Sequence, residues 1–302
     1  MSAIVLACHG GESAEGAVRI AKKLSARIGS RVEVITVVEP PTPTDYGFGP
    51  VFIPDASTEE RLEAEALRDA QSQLNRWGLG DHRPKLVIGA PSAAIAEFAL
   101  ERHASLIVVG LGPHHFADRA LGGETALQLA QIASTPVLAV PASATELPQR
   151  VVTAVDYSLT SLTAARIAAS YLQAGDTLEL VHVAPDAKQA ASGGEGPADL
   201  LRELSAGIER PTGVHSKITV LEHEPARALL DYAEREHADL IALGSHGYGI
   251  WKRLLVGSVA SKVLRLAQCA VLVVPARCVV TPSAERLGNG AGWEGTERVA
   301  VE

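Results

Sequence analysis

The sequence predicts an α/β protein of two tandem, doubly wound domains, each built on a five-stranded parallel sheet. Three observations carry that expectation. Short apolar runs alternate with stretches of helical periodicity, the pattern that places helices on both faces of a parallel sheet. The order of these elements restarts halfway along the chain. A glycine-bearing loop, 244–258, follows a buried apolar run and leads into a helical stretch.

The first half begins with Ala3-Ile-Val-Leu-Ala-Cys8, a buried strand. A helix follows with Ser13 as candidate N-cap, Ala17, Ile20, Ala21, Leu24 and Ile28 on one face, and a stop near Gly29. Residues 31–38 form the second strand, and a Pro- and Gly-rich loop runs from Glu39 to about Ala56. A helix over 58–77 presents Leu62, Leu67 and Leu74. Strand 85–88, helix 91–102, strand 105–109, the loop 110–125, a helix to about Ala133 and strand 137–140 complete the half. In the second half, strands at 151–155, 177–183, 217–221, 240–243 and 270–274 alternate with helices at 158–172, 198–208, 225–236 and 259–267.

The duplication is visible residue by residue. Gly89-Ala-Pro-Ser-Ala-Ala-Ile aligns with His223-Glu-Pro-Ala-Arg-Ala-Leu, and Gly110 with Gly244, at one offset of 134 residues. Val5-Leu-Ala-Cys-His9 aligns with Val152-Thr-Ala-Val-Asp156 at an offset of 147, and the 13-residue difference between the two offsets fits an expansion of the first half's Pro- and Gly-rich loop. The domains expected are 1–143 and 148–277, joined near 141–149, with a Gly-rich, aperiodic tail at 278–302.

Composition narrows the function. The 302 residues carry 21% charged and 47% hydrophobic side chains, a soluble globular composition. A net charge of −8 and the lack of a Lys/Arg-rich run argue against nucleic acid and against an electrostatic membrane anchor. No apolar run approaches a membrane span, and the N-terminus lacks a basic leader. Cys8, Cys269 and Cys278 form no CxxC pair, which fits free thiols in a reducing cytoplasm.

The loop Gly244-Ser-His246-Gly247-Tyr-Gly249-Ile-Trp-Lys-Arg253-Leu-Leu-Val-Gly257-Ser258 is suited to cradle phosphates. Its glycines admit close backbone approach, and the helix start at Ser258 and Val259 presents unpaired N–H groups to an anion. A flexible loop with a glycine stop is the alternative reading. Asp156 ends the first strand of the same half, on the rim where open α/β sheets bind ligands, and suits a ribose diol. It also suits an N-cap for the helix near Ser158. Val183 offers backbone groups to a base edge, while Lys252 and Arg253 either steer phosphates or form a solvated patch.

With Val152-Thr-Ala-Val-Asp156-Tyr-Ser158, His182-Val183, Ala238-Asp-Leu-Ile-Ala-Leu-Gly244-Ser-His-Gly247, Gly257-Ser258-Val-Ala-Ser-Lys-Val-Leu and Val271-Leu-Val-Val-Pro275, the second half resembles the universal stress protein family, nucleotide-binding type. The first half resembles it more loosely. The resemblance implies an adenine-nucleotide alpha-hydrolase-like, Rossmann-like fold and ATP, with Mg2+ as a candidate companion, at Asp156, Val183 and the glycine–serine loop. It also implies pairing of domains through their last strands, here within one chain, with homodimerisation open.

The first half departs from the pattern at the site. His9 stands for Asp156, Pro113 for Gly247 and Glu124 for Ser258. Proline removes an N–H, and a glutamate at the helix start opposes phosphate. ATP is therefore expected in the second half alone. His9, His114 and His115 share the first half's rim and form a low-ranked metal alternative, with Glu12 or Glu124 as a fourth ligand. No nucleophile elbow or paired-carboxylate constellation emerges, so the enzyme reading is at most a weak ATPase. The leading expectation is an ATP-binding regulatory or stress-response protein; the others are a slow ATPase or nucleotide-using enzyme and a protein-interaction scaffold without nucleotide.

Overall fold

The computed structural model describes residues 2–8, 14–39, 56–111, 123–184, 196–245 and 256–278, excluding the side chains of 56–60, 62–63 and 123. The first half contains β1 (Ala3–Ala7), α1 (Ala14–Ile28), β2 (Arg31–Val38), α2 (Ala56–Arg76), β3 (Lys85–Ile88), α3 (Pro91–Glu101), β4 (Ala104–Leu111), α4 (Gly123–Ile132) and β5 (Val137–Pro141). The second contains β6 (Arg150–Ala154), α5 (Leu159–Ser170), β7 (Thr177–Ala184), α6 (Pro197–Ala206), β8 (His215–Glu222), α7 (Pro225–Arg235), β9 (Leu240–Gly244), α8 (Ser258–Leu266) and β10 (Ala270–Val274).

All ten strands join one sheet in the order β3-β2-β1-β4-β5-β10-β9-β6-β7-β8. Within each half every pairing is parallel. Between the halves, β5 and β10 run antiparallel, with Val137, Leu138 and Ala139 opposite Val273, Leu272 and Val271. The last strands thus pair within the chain. The inner strands are covered on both faces, and for that reason they read as unbroken apolar runs rather than alternating ones.

Two apolar layers flank the sheet, and each crosses the junction between halves. One buries Ala17, Leu24, Leu74, Ala164, Ala168 and Leu201 from the helices α1, α2, α5 and α6. The other buries Ile95, Phe98, Leu129, Leu229, Val263 and Leu264 from α3, α4, α7 and α8. The repeat extends to backbone conformation: His103 and His237, 134 residues apart, end α3 and α7 at φ +48° and +52°. Gly29, at φ +65°, ends α1 where the sequence places its stop.

Helix α2 departs from its expected apolar stripe. Leu74 is 1% exposed but Leu67 is 43% exposed, because β3 offers only four residues of sheet beneath this helix. The side chain of Leu62 lies outside the described residues. The linker, residues 142–149, is held firmly. Arg19 on α1 donates to the carbonyls of Ala142 (2.5 Å) and Ala144 (3.1 Å), and Lys23 to that of Thr145 (2.8 Å). At its far end, Asp239 accepts the N–H groups of Gln149 and Arg150.

Candidate functional site

The carboxyl ends of β6, β7 and β9 converge on one rim. Thr153 registers with Ala242, and Ala154 with Val181, so Asp156, Val183 and Gly244 all emerge within a few residues of the last strand pairings. Val155 donates its N–H to the Val181 carbonyl, the last backbone bond between β6 and β7. Backbone groups alternate sides along a strand, so Val183 aims its N–H and C=O the same way as Val181, past the end of β6. That is where a ligand edge can reach them.

Asp156 is half-buried, and its Oδ1 accepts from the N–H (3.1 Å) and Oγ (2.6 Å) of Ser158. Both of these bonds fall on Oδ1 rather than Oδ2. The alternative role of Asp156 as N-cap is corrected by the structure: Ser158 is the cap of α5, with its Oγ accepting the Ser161 N–H at 3.2 Å. The cap falls to Ser158 because its hydroxyl both donates to the carboxylate and accepts from the helix. Tyr157, between them, sits at φ +65°, and its ring lies 4.7 Å from that of His182.

Gly244 is required by packing. A Cβ there would lie 2.4 Å from Thr160 Oγ1 and 3.0 Å from the Ser161 nitrogen, so the glycine lets α5 press directly on the end of β9. Ser245 is fully buried: its N–H donates to the Val274 carbonyl and its Oγ accepts the Ala276 N–H, each at 2.9 Å. Its carbonyl accepts the Gly257 N–H at 2.7 Å. Both ends of the intervening segment are therefore pinned at one point, which delivers α8 to the rim.

At the start of α8, Gly257 is the N-cap at φ −58° and supplies no side-chain cap. Its own N–H is committed to Ser245, so the donors left for an anion are the first N–H groups of the helix, at Ser258, Val259 and Ala260. Ser258 is exposed and Val259 half-buried. His246, Gly247, Gly249, Lys252 and Arg253 lie outside the described residues, so the loop itself is not placed. Farther along α8, Lys262 pairs with Glu224 at 3.0 Å. That lysine and the Arg227 N–H hold the Glu224 carboxyl below its usual range, the N–H foremost.

The first half presents different chemistry. Glu124 occupies the first turn of α4, and it lies 4.0 Å from Arg265 at the last turn of α8, an exposed pair bridging the two halves. His9, Glu12, Pro113, His114 and His115 lie outside the described residues, and the metal alternative with them. Among the described residues no three His, Cys, Asp or Glu side chains group to hold a metal. Burial pushes the Cys8 thiol up to about 12 and, as the largest cause, that of Cys269 to about 11, which disfavours either as a thiolate nucleophile. No helix among the described residues is long and apolar enough to cross a membrane.

Sequence reasoning missed one buried polar cluster. Glu179 on β7 is 4% exposed and accepts from Thr219 Oγ1 at 2.6 Å and from the hydroxyl of Tyr232 on α7. Burial, and then the Glu179 carboxylate, push the Tyr232 hydroxyl up to about 12. The available signal was Glu179 set between Leu178 and Leu180 in a largely apolar strand. The aligned position to Tyr232, Phe98, has no hydroxyl.

Comparison with known proteins bears on this geometry. The universal stress protein family matches twice, over residues 1–141 and 148–275. The chain belongs to that family. A universal stress protein of Mycolicibacterium smegmatis is 27% identical over 91% of this chain and 97% of its own length. Relatives from Methanocaldococcus jannaschii and Bacillus subtilis are 44% and 37% identical over 62 residues, spanning 36% and 42% of those proteins. Among solved structures, a universal stress protein of Archaeoglobus fulgidus superposes with TM-score 0.67 at 17% identity, over 90% of this chain and 96% of that one. A putative universal stress protein of Pseudomonas aeruginosa gives TM-score 0.55 at 15% identity, over 91% and 93%. These agreements establish the α/β fold of two family domains.

Proposed function

We propose that this universal stress protein is a nucleotide-dependent regulatory or stress-response protein that holds ATP in its second half. The observation that carries the reading is the uncapped start of α8 on the same rim as Asp156 and Val183. Helix N–H groups at Ser258 and Val259 face a triphosphate, and the loop sequence between Gly244 and Gly257 supplies the glycines and the Arg253 cation that suit one. Asp156 Oδ2 accepts from the ribose diol, and backbone groups of Val183 meet the base edge. The residues fit the ligand: the helix start after β9, the acceptor after β6 and the backbone edge at the end of β7 follow the strand order as phosphate, ribose, base. Mg2+ bound with ATP would neutralise part of the phosphate charge.

The first half supports that site without sharing its ligand. Glu124 places a carboxylate where phosphates would sit, and its partner Arg265 comes from the other half. Binding outranks turnover in this reading, since the sequence offers neither an evident general base nor a dedicated metal carboxylate for the phosphates.

Mass spectrometry of small molecules released from the denatured protein, followed by calorimetric titration, tests the proposal. The expected outcome is about one adenine nucleotide per chain. Asp156→Ala should weaken ATP by about tenfold or more, the scale of a hydrogen bond to a charged group. No binding at millimolar ATP would remove the proposal, and two nucleotides per chain would remove the restriction to one half.

A further inference from the structure

We propose that His182 and Tyr157 are positioning residues that fix Asp156 for recognition of a ribose diol, an inference resting on the nucleotide reading above. The Val155 carbonyl lies 2.8 Å from His182 Nδ1. A carbonyl only accepts, so Nδ1 carries the proton and donates. Val155 is thereby held from β7 at both backbone groups: its N–H by Val181 and its C=O by His182. The next residue is Asp156, so these two bonds set the direction in which the chain leaves β6.

Tyr157 holds the other side of the carboxylate. At φ +65° it adopts a backbone conformation that a bulky L-residue rarely tolerates without compensation. The compensation is visible. Its ring rests on the His182 ring, with centroids 4.7 Å apart and planes at 44°, and its hydroxyl donates to the Pro197 carbonyl at 3.2 Å, where α6 starts. Turning the chain at Tyr157 also brings Ser158 back to bond Asp156 Oδ1. The carboxylate is thus set between a histidine-pinned peptide and a tyrosine-locked turn. His182 stands directly before Val183, so one side chain couples the ribose acceptor to the base-edge backbone.

The test compares ATP with 2′,3′-dideoxy-ATP on the full chain by calorimetry, for the wild type, His182→Leu, His182→Asn and Tyr157→Phe. The wild type should prefer ATP by about tenfold or more, the worth of charge-assisted hydrogen bonds to the diol. His182→Leu should bring that preference to within about twofold while changing dideoxy-ATP affinity by less than about threefold. His182→Asn, which keeps an N–H donor, should restore most of the preference. Tyr157→Phe, lacking only the Pro197 tether, should fall between.

A merely structural role would weaken both nucleotides together and leave the ratio unchanged. That result, or a wild-type preference surviving His182→Leu, overturns the assignment even if ATP binds. A wild type that binds ATP without preferring it over the dideoxy form also overturns it. Failure of the wild type to bind either nucleotide overturns both this inference and the functional reading.

Discussion

The two halves carry the same strand order, and α3 and α7 end alike, yet their helix starts at the rim differ. α8 begins at Gly257 with no side-chain cap, whereas the first turn of α4 carries Glu124, ion-paired with Arg265 of the other half. A second difference lies beneath α7. There Tyr232 and Thr219 satisfy the buried Glu179, while the aligned position on α3 is Phe98 in an apolar layer. The comparison teaches that the core tolerates duplication with little change because apolar volume is interchangeable. Polar positions are not, since each needs its own partner. Divergence accumulates where charge is exposed to a ligand or buried with one partner set.

The sharpest way to break the comparison is to give the second half the first half's carboxylate. Ser258→Glu should weaken ATP at least about 100-fold by like-charge repulsion against the phosphates. It should leave the protein as stable or slightly more so, by about 0.3–1 kcal/mol, because a carboxylate suits a helix start. Titration calorimetry paired with urea unfolding reads the two opposite signs. Equal ATP affinity would mean that the start of α8 does not face phosphate.

Packing gives the next effect. Gly244→Ala drives a Cβ to within 2.4 Å of Thr160 Oγ1 and should lower unfolding free energy by roughly 1–3 kcal/mol in denaturant titration. Unchanged stability would show that α5 can retreat from β9.

Tyr232→Phe converts the second half to the first half's residue and leaves Glu179 with one donor fewer. A loss of about 1–2 kcal/mol is expected near neutral pH. The pH dependence has a definite sign. Tyr232 titrates near 10 when unfolded and about 12 when folded, so its contribution is complete below pH 10 and lost as pH rises from 10 to 12. The wild type should therefore lose stability across that window, and Tyr232→Phe should lose less.

The smallest effect belongs to Arg265→Ala. Its exposed pair with Glu124 should contribute under about 1 kcal/mol, and less in high salt. A larger loss would make this contact a true strut between the halves.

Much of this arrangement is legible along the chain. The apolar runs at Ile4–Leu6, Leu106–Val109 and Leu240–Leu243 mark inner strands because a strand covered on both faces has no polar side to display. Alignment of Gly110 with Gly244 identifies the repeat, and Glu124 against Ser258 identifies the divergent rim. What was illegible depends on distance in space. Asp156 and Ser158 each qualify as a cap, and only the folded turn assigns the cap to Ser158. Gly244 suits a phosphate loop by its neighbours, but the contact that excludes a side chain is with Thr160, more than eighty residues earlier in the chain. Leu67 fits an apolar stripe, and the four-residue β3 leaves it exposed.

The sequence by itself therefore determined the element order, the duplication and the polar chemistry on each half's rim, because these follow from local periodicity and residue type. Tertiary structure alone decided the antiparallel register in which β5 meets β10, that His182 reaches the Val155 carbonyl, and that Tyr232 covers Glu179. Those contacts join residues 27 to more than 100 positions apart, and no local pattern encodes which distant donor a buried acceptor will meet.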